Sequence, residues 1–234
     1  MKITKAIPSI ITSLNLTSGV IAVVLAFDGK IETAALFIII ASIFDFFDGF
    51  AARLLKAVSE FGKQLDSLAD LISFGFAPAA ILYNLFLIKN HDHKYLAFSV
   101  ILIVVFSALR LAKFNIDEEQ TTEFKGLPTP ASALFIISVS YYCFTNNNSL
   151  SDFFSNPYSI AGTSLILSLL MVSNFRLMSL KIKRFKVKEI YWQIILLVGG
   201  LILLIIFNFL GIGLAIILYL ALSFLKQILI TKKQ

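Results

Sequence analysis

Charge, cysteine and histidine are all scarce in this sequence. Lys, Arg, Asp and Glu make up 15% of its 234 residues, whereas 58% are hydrophobic; a soluble domain runs about 45–50% apolar and about 25% charged. That excess of apolar surface has no place in a single water-surrounded core, but helices facing lipid require it. The one cysteine, Cys143, excludes an internal disulfide and a thiolate metal centre, and its position inside an apolar run reads as packing. The two histidines, His91 and His93, share one polar connection and read as part of a solvated loop. No internal repeat, low-complexity tract or soluble domain breaks the apolar pattern.

What is present is a series of eight apolar segments: Ala6–Phe27, Ile31–Leu55, Phe61–Ile88, Tyr95–Phe114, Pro130–Phe144, Tyr158–Phe175, Ile190–Phe207 and Ile212–Ile230. A crossing needs roughly 20 residues, and the fifth segment is the shortest. The first segment follows Lys2 and Lys5 but has no small-residue cleavage site, so it reads as a retained helix. The net charge of +6 sits between the segments, which points to membrane orientation and away from nucleic acid. With the N-terminus inside and eight crossings, seventeen basic residues fall on the inside and only Lys30, Lys89 and Lys94 on the outside. The positive-inside rule then places both termini in the cytoplasm. The run Lys181–Lys188 reads as topology-setting and as a contact for anionic lipid heads. The sequence thus predicts an all-α polytopic bundle of about eight transmembrane helices. Residues 1–234 form one integral membrane domain, with a core over about 1–145 and further helices over about 156–230.

The informative stretch is DFFDGFAARLLKAVSEFGKQLDSLAD, from Asp45 to Asp70. Asp45 and Asp48 are three apart and share a helix face; Gly62, Asp66 and Asp70 are each four apart and stack on another. An antiparallel helix pair would bring four carboxylates together, with Gly49, Ala52 and Gly62 leaving room for a bulky ligand near the backbone. Clustered carboxylates repel one another and resist burial, so either protons or cations must sit among them. Asp oxygens suit Mg²⁺ or Mn²⁺, and a pair of such ions clamps phosphoryl groups. A plainer alternative has these residues capping helix ends and pairing with Arg53, Lys56 and Lys63. Ionisable residues in a membrane helix are nonetheless functional candidates by default.

The pattern D-x-x-D-G-x-x-A-R, eight residues, then G-x-x-x-D-x-x-x-D resembles the signature of the CDP-alcohol phosphotransferases, and all eight positions are filled. The stretches Asn15–Gly19, Ser107–Asn115 (SALRLAKFN) and Phe124–Ala133 (FKGLPTPASA) are similar to bacterial and archaeal phosphatidylserine synthases, while the last hundred residues match only in hydropathy. The resemblance implies transfer of the phosphatidyl group from CDP-diacylglycerol to L-serine, with release of CMP. By the same resemblance, Asp45, Asp48, Asp66 and Asp70 hold two Mg²⁺ or Mn²⁺ ions and Asp70 is the general base. Gly49, Ala52, Arg53 and Gly62 then bind the CDP-lipid; Arg110, Lys113 and Asn115 contact the acceptor or a phosphate; and the protein is a homodimer in the cytoplasmic membrane with its site facing the cytoplasm. Two positions depart from the family. Its Pro-Asn on helix one is Pro8-Ser9 here, leaving Thr12 or Asn15 for that contact, and its RLARFN is RLAKFN, which costs Lys113 the bidentate fork. Gly126–Pro130 (GLPTP) reads as a rigid turn, with one wall of the acceptor pocket. The alternatives are another acceptor, glycerol 3-phosphate or an inositol phosphate, and a cation transporter using the Asp cluster.

Overall fold

The structure is a computed structural model that describes residues 3–90, 92–116, 124–178 and 187–231. His91 and residues 181–186 of the basic run lie outside the described residues. The helices are α1 (Ile3–Phe27), α2 (Ile31–Leu54), α3 (Glu60–Lys89), α4 (Lys94–Ile116), α5 (Thr129–Thr145), α6 (Ser149–Ser155), α7 (Pro157–Val172), α8 (Val187–Phe207) and α9 (Leu210–Thr231). Each of the eight apolar segments expected from the sequence has its helix. Five are long and apolar enough to cross a membrane: residues Ala6–Phe27 of α1, then α2, α3, α4, and Leu210–Leu229 of α9. The stretches Thr129–Thr145, Pro157–Val172 and Tyr191–Phe207 are apolar but shorter.

The helices pack as the distribution of small residues dictates. Asp28-Gly29-Lys30 turns α1 into α2, with Gly29 at φ +75° and the Lys30 amide donating to the Leu25 carbonyl at 2.9 Å. Ala22 and Ala26 on α1 and Ala34, Ala35 and Ala41 on α2 are all fully buried. Small side chains let lipid-embedded helices approach closely, where packing rather than water exclusion drives association. The outward faces carry large apolar groups instead: Phe46, Phe47, Phe50 and Leu54 are exposed on α2. Helix α3 is the central element, with 61% of its apolar window buried inside the protein against 28% for α2. Its second half sends Phe74, Ala77 and Ile81 into one core with α1, α2 and α5, and Leu82, Leu85 and Phe86 into another with α4, α5, α7 and α9.

Helix α3 is not uniform. Residues Leu71–Phe76 form a π-helical stretch, in which the Ala77 amide bonds to the Ile72 carbonyl five residues back. Pro78 lacks the amide that would have bonded to Phe74 in regular α-helix, and loss of that bond widens the preceding turn. The widened turn is buried: Gly19 of α1 sits so close to Ser73 that a Cβ there would overlap its side chain and backbone.

Two short connections are more ordered than the sequence suggests. The polar segment after α5 folds into the short helix α6, whose N-cap is Asn148, accepting from the Ser151 amide at 2.9 Å. At this end Lys89 donates to Asn147 at 2.9 Å and Asn90 to the Ser155 carbonyl at 2.8 Å. At the other end a two-residue strand β1 (Phe124–Lys125) pairs antiparallel with β2 (Arg176–Leu177). Gly126 follows β1 at φ +75°, its amide bonded to the Phe175 carbonyl, and an added Cβ would strike the Met171 carbonyl oxygen. Gly126→Ala is expected to cost about 1–3 kcal/mol, since a side chain is disfavoured at that backbone angle and the carbonyl cannot step aside. Thermal unfolding in detergent, compared with Gly29→Ala, checks this. The Gly29 site has the same φ and open space around it, so equal losses in the two variants would refute the carbonyl clash.

Candidate active site

The antiparallel pair α2–α3 brings the sequence motif together. Carboxylate oxygens of Asp45, Asp48 and Asp66 all lie within 4.8 Å of one another. Asp70, one turn beyond Asp66, lies against Asp45. Asp48 is only 5% exposed and Asp70 only 9%. Local sequence fixes these positions. Ser59 starts α3 by accepting the Gly62 amide at 3.1 Å, an N-cap preference of serine, and this phases Asp66 and Asp70 onto the side facing α2.

Beside the carboxylates runs a cleft of about 170 Å³, lined by Pro8, Ser9 and Thr12 of α1, by Asp48, Gly49 and Ala52 of α2, and by Ala57–Ser59, Gly62, Lys63 and Asp66. The three small motif residues Gly49, Ala52 and Gly62 thus form its floor, as their lack of side chains suggested. Arg53 is exposed and its guanidinium passes 4.0 Å from where a Gly49 Cβ would be. The plainer reading, in which the Asp residues pair with local cations, finds no support. Among the described residues none of the four makes an ion pair with Arg53, Lys56 or Lys63.

The second expected cluster is split. Arg110 is 9% exposed, donates to the Thr129 hydroxyl at 3.4 Å, lies 5.8 Å from the Phe114 ring centre and is within electrostatic reach of Asp70. Lys113 points outward to Asn174 at 3.2 Å, yet with Arg110, Lys125 and Ser173 it lines a second, narrower pocket. Asn115 does not line that pocket; its side chain donates to Ser67 at 2.8 Å and its carbonyl accepts from Lys63 at 2.7 Å, tying α4 to α3. His93 is exposed in the left-handed region (φ 56°) beside Tyr95 and Tyr158. No metal-ligand group containing it is found among the described residues.

Two further residues of the site carried a weaker signal in sequence than the Asp motif. Thr129 shows in the sequence only as part of the GLPTP turn, and Asn15 as one of two candidates, with Thr12, for a polar contact from α1. Asn15 is fully buried and donates to the Asp70 carboxylate at 3.4 Å, while its backbone carbonyl accepts from Ser73 at 3.1 Å.

A model of the CDP-alcohol phosphatidyltransferase family matches residues 5–173. The chain belongs to that family. It is 36% identical over 174 residues to the CDP-diacylglycerol–serine O-phosphatidyltransferase of Bacillus subtilis, covering 73% of this chain and 88% of the relative. It is 36% identical over 172 residues to the archaetidylserine synthase of Methanothermobacter thermautotrophicus, covering 72% and 68%. To the CDP-diacylglycerol–serine O-phosphatidyltransferase of Methanocaldococcus jannaschii it is 35% identical over 166 residues, covering 71% and 70%. Among CDP-alcohol phosphatidyltransferases, then, the matched region takes in α1–α7 and everything that forms the Asp cluster and its cleft. Helices α8 and α9 follow it.

The donor set fits divalent cations. Its oxygens are hard ligands, three side chains converge, and Asp48 Oδ2 and Asp66 Oδ1 are buried without a protein partner. Buried charge left uncompensated is costly, and oxygen-only sites beside phosphate pockets suit Mg²⁺ and Mn²⁺.

Proposed function

We propose that this protein is a phosphatidylserine synthase, which transfers the phosphatidyl group of CDP-diacylglycerol to the hydroxyl of L-serine and releases CMP. The observation that carries the reading is the convergence of the Asp45, Asp48 and Asp66 oxygens within 4.8 Å beside a cleft floored by Gly49, Ala52 and Gly62. Serine is common to the names of the three relatives above, whereas the lipid half is CDP-diacylglycerol in two of them and archaetidyl in the third.

Asp45, Asp48 and Asp66 would hold a first Mg²⁺ or Mn²⁺ ion, and Asp66 with Asp70 would help to hold a second. When bound, such ions supply the positive charge that neutralises the diphosphate and the departing CMP. Gly49, Ala52 and Gly62 receive the cytidine, and Arg53 meets a phosphate oxygen. An apolar groove of about 320 Å³, lined by Ile11, Phe44, Phe47, Phe50, Ala51, Leu54 and Leu55, is suited to the acyl chains. Asp70 accepts the proton of the serine hydroxyl as its oxygen bonds to the phosphorus next to the diacylglycerol. The bond from that phosphorus to the CMP oxygen breaks, and the electron pair leaves with CMP. A serine hydroxyl is a poor nucleophile at neutral pH and needs such a base. Arg110, with Lys113 nearby, takes the serine carboxylate.

The same reading places eight crossings in the cytoplasmic membrane, with both termini and the Asp cluster at the cytoplasmic face, in a homodimer. Contacts at the two ends support the topology. At one end of the bundle Lys63 meets Asn115 and Lys113 meets Asn174, both lysines being among the basic residues assigned inside. At the other end Lys89, assigned outside, meets Asn147, and Asn90 meets Ser155.

Purified, detergent-solubilised protein with CDP-diacylglycerol and Mn²⁺ should release CMP with L-serine and not with glycerol 3-phosphate or an inositol phosphate. Release with either phosphate-bearing acceptor but not with serine would sink the serine assignment and leave the family membership standing.

A further inference from the structure

One buried polar atom beside Asp70 has no part in the chemistry above. Asn15 is fully buried, and its side-chain amide is half used: the –NH₂ donates to Asp70, while Oδ1 has no donor from the protein. Covalent geometry keeps the two ends of an amide about 2.3 Å apart, so this unpartnered acceptor lies within a few ångströms of the Asp70 carboxylate. A buried acceptor left without a donor costs about 1–3 kcal/mol, and such an exception in a packed helix calls for a reason.

The environment selects the donor that would satisfy it. The Asn15 backbone carbonyl takes the Ser73 hydroxyl, and Gly19 lets α1 lie against Ser73, which seats Asn15 beside α3. The side-chain amide is tied at its –NH₂ end to Asp70. On another side of Asp70 is Arg110, whose Nε is also buried and without an acceptor. The base is thus accompanied by an unused acceptor on α1 and an unused donor on α4. A molecule offering a hydroxyl to Asp70, a carboxylate to Arg110 and an N–H to Asn15 satisfies all three. An α-amino acid with a side-chain hydroxyl has this set, and its ammonium brings donors only.

We infer that Asn15 is a specificity-determining residue, whose Oδ1 accepts a hydrogen bond from the ammonium group of the acceptor while its –NH₂ positions Asp70. The inference rests on the serine reading above and names the group by which an amine-bearing acceptor is distinguished from a plain hydroxy acid.

The test separates recognition from chemistry by using serine analogues without the reacting hydroxyl. L-alanine keeps the ammonium and propionate lacks it. Their inhibition constants against serine-dependent CMP release are measured for the wild type, Asn15→Leu and Asn15→Asp. The wild type should bind alanine more tightly than propionate. Asn15→Leu should shrink that preference by about tenfold, the equivalent of about 1.4 kcal/mol, and Asn15→Asp, which keeps an oxygen there, should retain it. An unchanged preference in Asn15→Leu, even with slower turnover, overturns the inference and leaves Asn15 as a support for Asp70 alone. So does a wild type with no preference. Should the leucine variant fail to fold, Asn15→Ala, which also removes the oxygen, is judged by the same criterion. A wild type that does not use serine at all is a different failure, that of the parent assignment.

Discussion

Chelation of divalent cations should reduce CMP release to background, and Mn²⁺ or Mg²⁺ should restore it. The effect is expected to be the largest of any single perturbation, because the site is assembled around charge it does not itself neutralise. Two carboxylates 4.8 Å apart repel by about 3 kcal/mol at an effective dielectric of about 20, and Asp45, Asp48 and Asp66 form three such pairs at that distance or less. No lysine or arginine is paired with them among the described residues. Binding has a readout independent of turnover. Mn²⁺ should raise the thermal midpoint of the wild type and do so more strongly with CMP present, and Asp48→Asn should lose most of both shifts. A cation-independent midpoint in a folded wild type would remove the metal assignment. CMP protection without any cation would move nucleotide binding away from the carboxylates.

Asp70→Asn should lower kcat by about 10²–10⁴-fold, the range for removing a positioned general base, while KM for CDP-diacylglycerol changes less than tenfold. The variant keeps its shape and its contact with Asn15, because an amide oxygen still accepts from the Asn15 –NH₂. It also keeps the three-carboxylate group formed by Asp45, Asp48 and Asp66. Mn²⁺-dependent thermal protection by CMP should therefore persist in Asp70→Asn and be lost in Asp48→Asn. This contrast separates what Asp70 does in turnover, as base and as ligand of the second ion, from nucleotide binding. If Asp70→Asn instead loses CMP protection in full and turns over at an unchanged rate at saturating substrate, Asp70 is a binding residue and another group accepts the proton.

Much of this arrangement is legible in the residues before any fold is known, because the signals are local. A run of apolar residues long enough to cross lipid announces itself, and spacings of three and four put Asp45 with Asp48, and Asp66 with Asp70, on common faces whatever surrounds them. Ser59, three residues before Gly62, caps the start of α3, a role its residue type favours. What escaped is what depends on partners distant in sequence. Arg110, Lys113 and Asn115 lie within six residues and share a charge pattern, yet α5, α7 and α3 draw them in three directions, to Thr129, Asn174 and Ser67. The choice between Thr12 and Asn15 is made only by the fold: Gly19, one turn beyond Asn15, lets α1 settle against Ser73, and Asn15 then meets both Asp70 and Ser73. The short helix α6 was hidden in a polar, Asn-rich segment because its stability comes from capping by Asn148 and from contacts with the end of α3.

The widened turn at Leu71–Phe76 has a consequence for how this helix is able to vary. On either side of it the helix serves a different master. The leading half carries Asp66 and Asp70 toward α2, and the trailing half carries Phe74, Ala77 and Ile81 into the core. In a uniform rod these two faces would be locked in phase, each residue advancing about 100°. A π turn absorbs an extra residue, so it acts as a phase joint that sets the carboxylate face independently of the packing face. Loss of one residue between Leu71 and Phe76 would turn Asp70 away by about a quarter of a revolution while leaving every crossing, every basic loop and the whole Asp motif intact. Two chains with the same signature and the same hydropathy profile can therefore differ in whether the fourth carboxylate reaches the other three.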